Sequence, residues 1–102
     1  MGFVIIYITH ENAKEAQKVI SHLLEKKLIA CANTFPIKSA YWWQGEIASE
    51  DEVVSIVKTS KSNWERVKSE VERIHPYEVP CIIKIDVAAN KAYEDWIEAE
   101  TE

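Results

Sequence analysis

Three histidines, two cysteines and a group of aromatic residues near lysine and glutamate carry the chemistry open to this 102-residue chain. His75 stands just before Pro76, where a helix must end, and imidazole is a common ligand for copper and zinc. The structural alternative is a helix C-terminal histidine interacting with the helix dipole. Cys31, between Ala30 and Ala32, offers a soft thiol that could take Cu(I), although a cysteine in that setting reads as a small packed hydrophobe. Cys81 follows Pro80 with no neighbouring His or Cys to chelate with, and is assigned to the core. His10-Glu11 does not open a zinc-binding His-Glu-x-x-His motif, because Lys14 occupies the place of the second histidine. His22 lies among polar helix positions and is expected to be solvated. Glu46, Glu50, Asp51 and Glu52 read as a solvated acidic loop able to hold hydrated divalent ions weakly. Lys58, Tyr41, Trp43, Tyr77, Glu78 and Trp96 combine charge with aromatic surface, a composition suited to a small-molecule cleft and equally to an interface between subunits.

The elements that must position these residues follow from hydrophobic spacing. Phe3 to Ile8 is a continuous, largely β-branched run, the pattern of a strand buried on both faces at the centre of a sheet. Asn12 with Glu15 forms a capping box, and Ala16, Val19, Ile20, Leu23 and Leu24 follow helical spacing. Residues 29–43 read as a long strand in which Pro36, lacking an N–H, belongs at a sheet edge or a bulge. Gln44-Gly45 predicts a tight turn and a hairpin back into a strand at Val53–Val57. Ser62 and Glu65 form a second capping box for a helix turning Trp64, Val67, Val71 and Ile74 inward, stopped by Pro76. Residues 81–87 give a fourth strand, and 93–100 leave room for a short terminal helix bearing Trp96 and Ile97.

This order, β-α-β-β-α-β plus a last helix, predicts an α+β, ferredoxin-like fold with antiparallel strand order 4-1-3-2 and helices on one side of the sheet. Cys31 and Cys81 then lie on opposite edges, roughly 14 Å apart and beyond disulfide reach. Trp42 and Trp43 point to opposite faces of their strand, which leaves one indole in water unless another copy covers it.

Composition sets the limits. With 47% hydrophobic and 28% charged residues the chain is suited to one folded domain over residues 1–102. Its 12 basic and 17 acidic residues give a net charge of −5, with no basic run to track a phosphate backbone, so no nucleic-acid partner is expected. Two glycines, Gly2 and Gly45, exclude P-loops and dinucleotide fingerprints. Two cysteines without a CxxC pair suit a reducing cytoplasm, and the Phe3–Ile8 run is too short to cross a bilayer. His75 and Glu78 could form an acid and base pair, but no activated nucleophile or oxyanion constellation accompanies them, so no enzyme is expected.

Four strings, Leu28-Ile29-Ala30-Cys31-Ala32-Asn33, Tyr41-Trp42-Trp43-Gln44-Gly45-Glu46-Ile47, Lys58-Thr59 and His75-Pro76-Tyr77-Glu78-Val79-Pro80, resemble the CutA family of divalent-cation tolerance proteins. The resemblance covers essentially the whole chain. It implies a cytoplasmic homotrimer joined through the long second and third strands, with a role in tolerance to copper and other divalent metals and no obligatory cofactor. It also implies a likeness to trimeric PII signalling proteins, whose intersubunit clefts bind small effectors; here an anionic ligand would meet Lys58 and His75. Copper ligands proposed within the family fall by position on Ile8, Ile74 and His75, so only His75 of the three is present. His75 is therefore the expected metal ligand, for Cu or Zn, with any further ligands coming from elsewhere.

Overall fold

The apolar run near the N-terminus does become the inner strand of the sheet. In a computed structural model describing residues 2–102, β1 (Phe3–His10) is flanked by β3 (Glu46–Thr59) and β4 (Ile82–Val87), and β2 (Cys31–Trp43) pairs with β3 at the edge. The order β2-β3-β1-β4, antiparallel throughout, is the expected one read from the other side. Pro36 sits in the edge strand β2, where a missing donor is tolerated. The strand runs through it without a break and begins at Cys31, two residues later than expected.

Alternation along β1 sends Val4, Ile6 and Ile8 to one face, where α1 (Ala13–Glu25) and α2 (Trp64–Ile74) bury them with Val19, Ile20, Leu23, Val67 and Val71. Asn12 caps α1 by accepting the Glu15 backbone N–H at 2.9 Å. Leu24, expected inward, is exposed: its position rolls past the edge of the buried stripe. The second capping box does not form. Residues Lys61–Asn63 make a 3-10 turn, and the Asn63 side chain is spent on Thr59 and Arg66.

The last helix, α3 (Lys91–Glu100), crosses to the opposite face, so the helices do not all share one side. Tyr93 packs edge-on against Phe3 and its hydroxyl meets Cys31 and Lys58, residues out of phase with Val4 and Val57. The remainder of that face is uncovered: Ile5 and Tyr7 are half-buried, and Phe35, Ile83 and Ile85 are exposed.

The β2–β3 hairpin is longer than the core beneath it. Its ladder runs from Cys31 opposite Lys58 to Trp43 opposite Glu46, whereas β1 accompanies β3 only as far as Val53. Residues 37–43 and 46–52 therefore form a two-stranded ribbon reaching about 20 Å beyond the core at ~3.3 Å per residue. The acidic segment expected as a loop is part of this ribbon, because the turn takes up only Gln44 and Gly45. Both have positive φ, 49° and 83°, the twist that a two-residue hairpin turn needs. A Cβ on Gly45 would meet no atom within 4 Å. Gly45→Ala is thus expected to cost about 1 kcal/mol from backbone strain alone, read as a lower urea midpoint at unchanged slope; an unchanged midpoint would mean that the turn relaxes freely.

Candidate functional site

Where β1 ends and α2 stops, four side chains converge. His10 continues the inward phase of Val4, Ile6 and Ile8, is fully buried, and lies 2.7 Å from the Ser55 hydroxyl through Nε2. Its ring stacks on His75 at 5.4 Å, and His75 meets Tyr77 edge-on at 4.6 Å. Tyr77 in turn donates its hydroxyl hydrogen to Glu52 Oε2 at 2.6 Å. Burial, followed by the neighbouring His75, pulls the His10 pKa down to about 4, and its Nδ1 has no hydrogen-bond partner among the described residues. Burial, with the carboxylate of Glu52 next, pushes the Tyr77 phenol well above its usual range.

His75, the expected metal ligand, is held at both ring nitrogens within the chain. Its Nε2 is 2.8 Å from the Thr9 carbonyl, which can only accept, so Nε2 carries the proton. Nδ1 then accepts the Tyr77 backbone N–H at 3.1 Å. Both nitrogens are engaged, and a metal would have to break one of these bonds. Among the described residues no group of three or more His, Cys, Asp or Glu is placed to hold a metal ion. The residues of one chain thus do not fit a resident copper or zinc centre.

A groove of about 890 Å³ lies on the helix-free face beside this cluster. Tyr41 and Trp43 from the ribbon, Glu50 and Glu52 from β3, and Tyr77 and Glu78 from the loop before β4 line it. Glu50 beside the Tyr41 hydroxyl raises that phenol's pKa. Cys81 also lines the groove, half-buried, and is not a core residue; burial pushes its thiol up. Lys58 and Trp96 are elsewhere. Lys58 Nζ bonds the Tyr93 hydroxyl at 3.2 Å, and the Tyr93 ring packs on Trp96 at 5.7 Å. Ala48, opposite Tyr41, and Lys58 are ten positions apart on β3, roughly 30 Å at ~3.3 Å per residue. The six aromatic and charged residues grouped in the sequence therefore fall into two sets that one chain does not join.

Other expectations shift in smaller ways. Cys31 and Cys81 are free thiols, and Cys31 Sγ packs 3.4 Å from the Tyr93 hydroxyl. His22 is not solvated but half-buried, 2.6 Å from Glu70. Arg73 and then His22 hold the Glu70 carboxyl at about 2, and the trio ties α1 to α2. Trp42 is 72% exposed and Trp43 42%, so neither indole is buried within the chain. His10 and Glu52 are the members of the cluster that sequence reasoning missed, although the alternation that buries Ile6 and Ile8 also reaches His10.

A family model described as CutA1 divalent ion tolerance protein matches residues 4–100. The divalent-cation tolerance protein CutA of Pyrococcus horikoshii is 42% identical over 99 residues, covering 96% of this chain and 97% of that protein. The solved structure described as the periplasmic divalent cation tolerance protein CutA of Archaeoglobus fulgidus superposes with a TM-score of 0.95 at 42% identity, covering 98% and 99% of the two chains. The PII-like protein CutA from Nostoc sp. PCC 7120, in apo form, superposes with a TM-score of 0.91 at 32% identity over 97% of each chain.

Proposed function

The chain belongs to the CutA1 divalent ion tolerance protein family, and from that premise we propose that it works as a homotrimeric, cytoplasmic tolerance protein with PII-like ligand clefts between subunits. In this reading it answers to copper or zinc as an assembled module and does not chelate the ion within one chain. The observation that carries the reading is the division of the aromatic and charged residues into two sets roughly 30 Å apart, a separation that a neighbouring copy would close. The uncovered sheet face supports assembly, since Phe35, Trp43, Ile83 and Ile85 lie exposed on it. The likeness to the Nostoc protein supports the PII-like part. Two free thiols support a reducing compartment, and among the described residues no helix is long and apolar enough to cross a membrane.

The test combines light scattering with calorimetry. Scattering is expected to give three times the 11.8 kDa chain mass. Titration of chelator-stripped protein with Cu(II) and Zn(II) is expected to give the same stoichiometry in wild type and His75→Ala, because the imidazole is already engaged on both sides. A monomer in solution would overturn the assembly, and binding lost specifically in His75→Ala would return that residue to the metal.

A further inference from the structure

The helix side of the sheet carries a second cleft, formed apart from the uncovered face and the ribbon. It has a volume of about 510 Å³ and lies where the end of α1 meets α2. Lys26, which caps the end of α1, and Leu28 line it together with Glu65, Arg66, Ser69 and Glu70 of α2. Arg66, Ser69 and Glu70 stand at i, i+3 and i+4, so one stripe of α2 supplies them. The sheet face and ribbon that the proposed trimer uses contribute none of these residues.

The charges of this cleft are unevenly committed. Glu65 is paired with Lys68 at 2.9 Å, and Glu70 is held by His22 at 2.6 Å and by Arg73, all three partners lying outside the lining. Lys26 and Arg66 form no ion pair among the described residues. The two acids are thus answered from outside, and two cations remain open to the cleft. Arg66 is also held in place. Its Nη1 donates to Asn63 Oδ1 at 3.2 Å, and Asn63, only 1% exposed, is itself fixed by donating to Thr59 Oγ1 at 3.1 Å. That anchor occupies one guanidinium nitrogen and leaves the others for a ligand. A guanidinium positioned in advance loses less freedom on taking up an oxyanion than a loose surface arginine does.

The donor set selects the anion. A carboxylate brings one charge and two oxygens in a plane, whereas a phosphoryl group brings nearly two charges at neutral pH and three oxygens. Three donors of different kinds match it: the planar fork of Arg66, the point charge of Lys26 and the hydroxyl of Ser69. The volume exceeds that of a bare phosphate ion and falls in the range of small-molecule sites. We infer that the cleft between the end of α1 and α2 binds the phosphoryl group of a small phosphate monoester through Arg66, Lys26 and Ser69. The inference goes beyond the proposed function and does not depend on it, because every residue of the cleft comes from one chain.

Glycerol 2-phosphate is the probe, glycerol is its control without the phosphoryl group, and inorganic phosphate tests whether the free ion suffices. Each is titrated into the full chain at constant ionic strength set with chloride, with amide chemical shifts as the readout. Glycerol 2-phosphate is expected to saturate and to shift residues 26–28 and 63–70, and glycerol to do neither. Arg66→Gln, at an exposed position that does not endanger folding, is expected to weaken the ester at least about tenfold. Arg66→Lys keeps the charge without the fork and should weaken it less. Lys18→Gln removes the same charge from α1 outside the cleft and should leave binding unchanged. Shifts that rise without saturation, or an equal loss in Arg66→Gln and Lys18→Gln, overturn the site, since the anion would then only screen the surface. Inorganic phosphate binding as tightly as the ester overturns the monoester as the ligand. Light scattering on the same samples keeps the two readings apart: a trimer that does not bind the ester sinks the cleft alone, and a monomer that binds it sinks the assembly alone.

Discussion

Stability is expected to fall by about 3 kcal/mol as the pH drops from 6.5 to 4, and His10→Gln is expected to abolish most of that fall. The sign follows from which state takes up the proton. Folded His10 is buried against His75 and resists charging until about pH 4, whereas in the unfolded chain it charges near 6.5. Above pH 6.5 both states hold it neutral and the full stability is present. Through the window the unfolded state alone binds the proton, and stability drains away until the folded ring titrates. Glutamine keeps a side-chain donor for Ser55 and does not titrate, so its stability profile over the same window should be nearly flat. Glu70, held at about 2 by Arg73 and His22, acts at lower pH, between its ordinary value and 2, and does not confuse the measurement. Urea unfolding at pH 7, 5.5 and 4.5 decides it. Parallel losses in wild type and variant would remove His10 as the cause.

Tyr77→Phe is expected to cost about 2 kcal/mol, the range for a hydrogen bond to a buried charged group. Among the described residues the phenol is the one donor to a carboxylate buried on β3, so its loss leaves Glu52 without a hydrogen-bond partner there. The effect should depend on the charge: in a Glu52→Gln background the same tyrosine change should cost well under half as much. The loop from His75 to Cys81 should also exchange its amide hydrogens faster in Tyr77→Phe, since the bond is the loop's side-chain tie to the hairpin. Equal costs in the two backgrounds would mean that the tyrosine acts through packing against His75 alone.

Much of this architecture could be read from residue patterns, and the misses share a cause. The buried run at Phe3–Ile8, the capping Asn12, the turn at Gln44-Gly45 and the edge position of Pro36 are local signals, and each gave its element the right place. Their agreement fixed the strand order, because an apolar run needs the centre and a proline the edge. The site was harder, because its contacts join distant segments. Nothing local to His22 indicates that Glu70 on another helix will reach it. Nothing local to Glu52 indicates that a tyrosine 25 residues later folds over it. The extent of the ribbon was legible only in part: Val53–Val57 marked the stretch with a core beneath it, while Glu46–Glu52 had charge where a strand signal would be sought. Lys58 and Tyr41 are apart within one chain for a geometric reason, since Ala48, opposite Tyr41, stands ten positions from Lys58 along β3.

The central position of β1 also sets the timetable of synthesis. The strand leaves the ribosome ahead of both partners, and its nearest one, β3, begins pairing only at Val53. At roughly 5–20 residues per second the apolar segment waits for several seconds without a ladder partner. During that interval α1, which follows directly and turns Val19, Ile20 and Leu23 toward it, is the one element available to shield its inner face. The amphipathic helix placed second in the chain thus acts as a temporary cover for the nascent strand before it becomes a wall of the finished core.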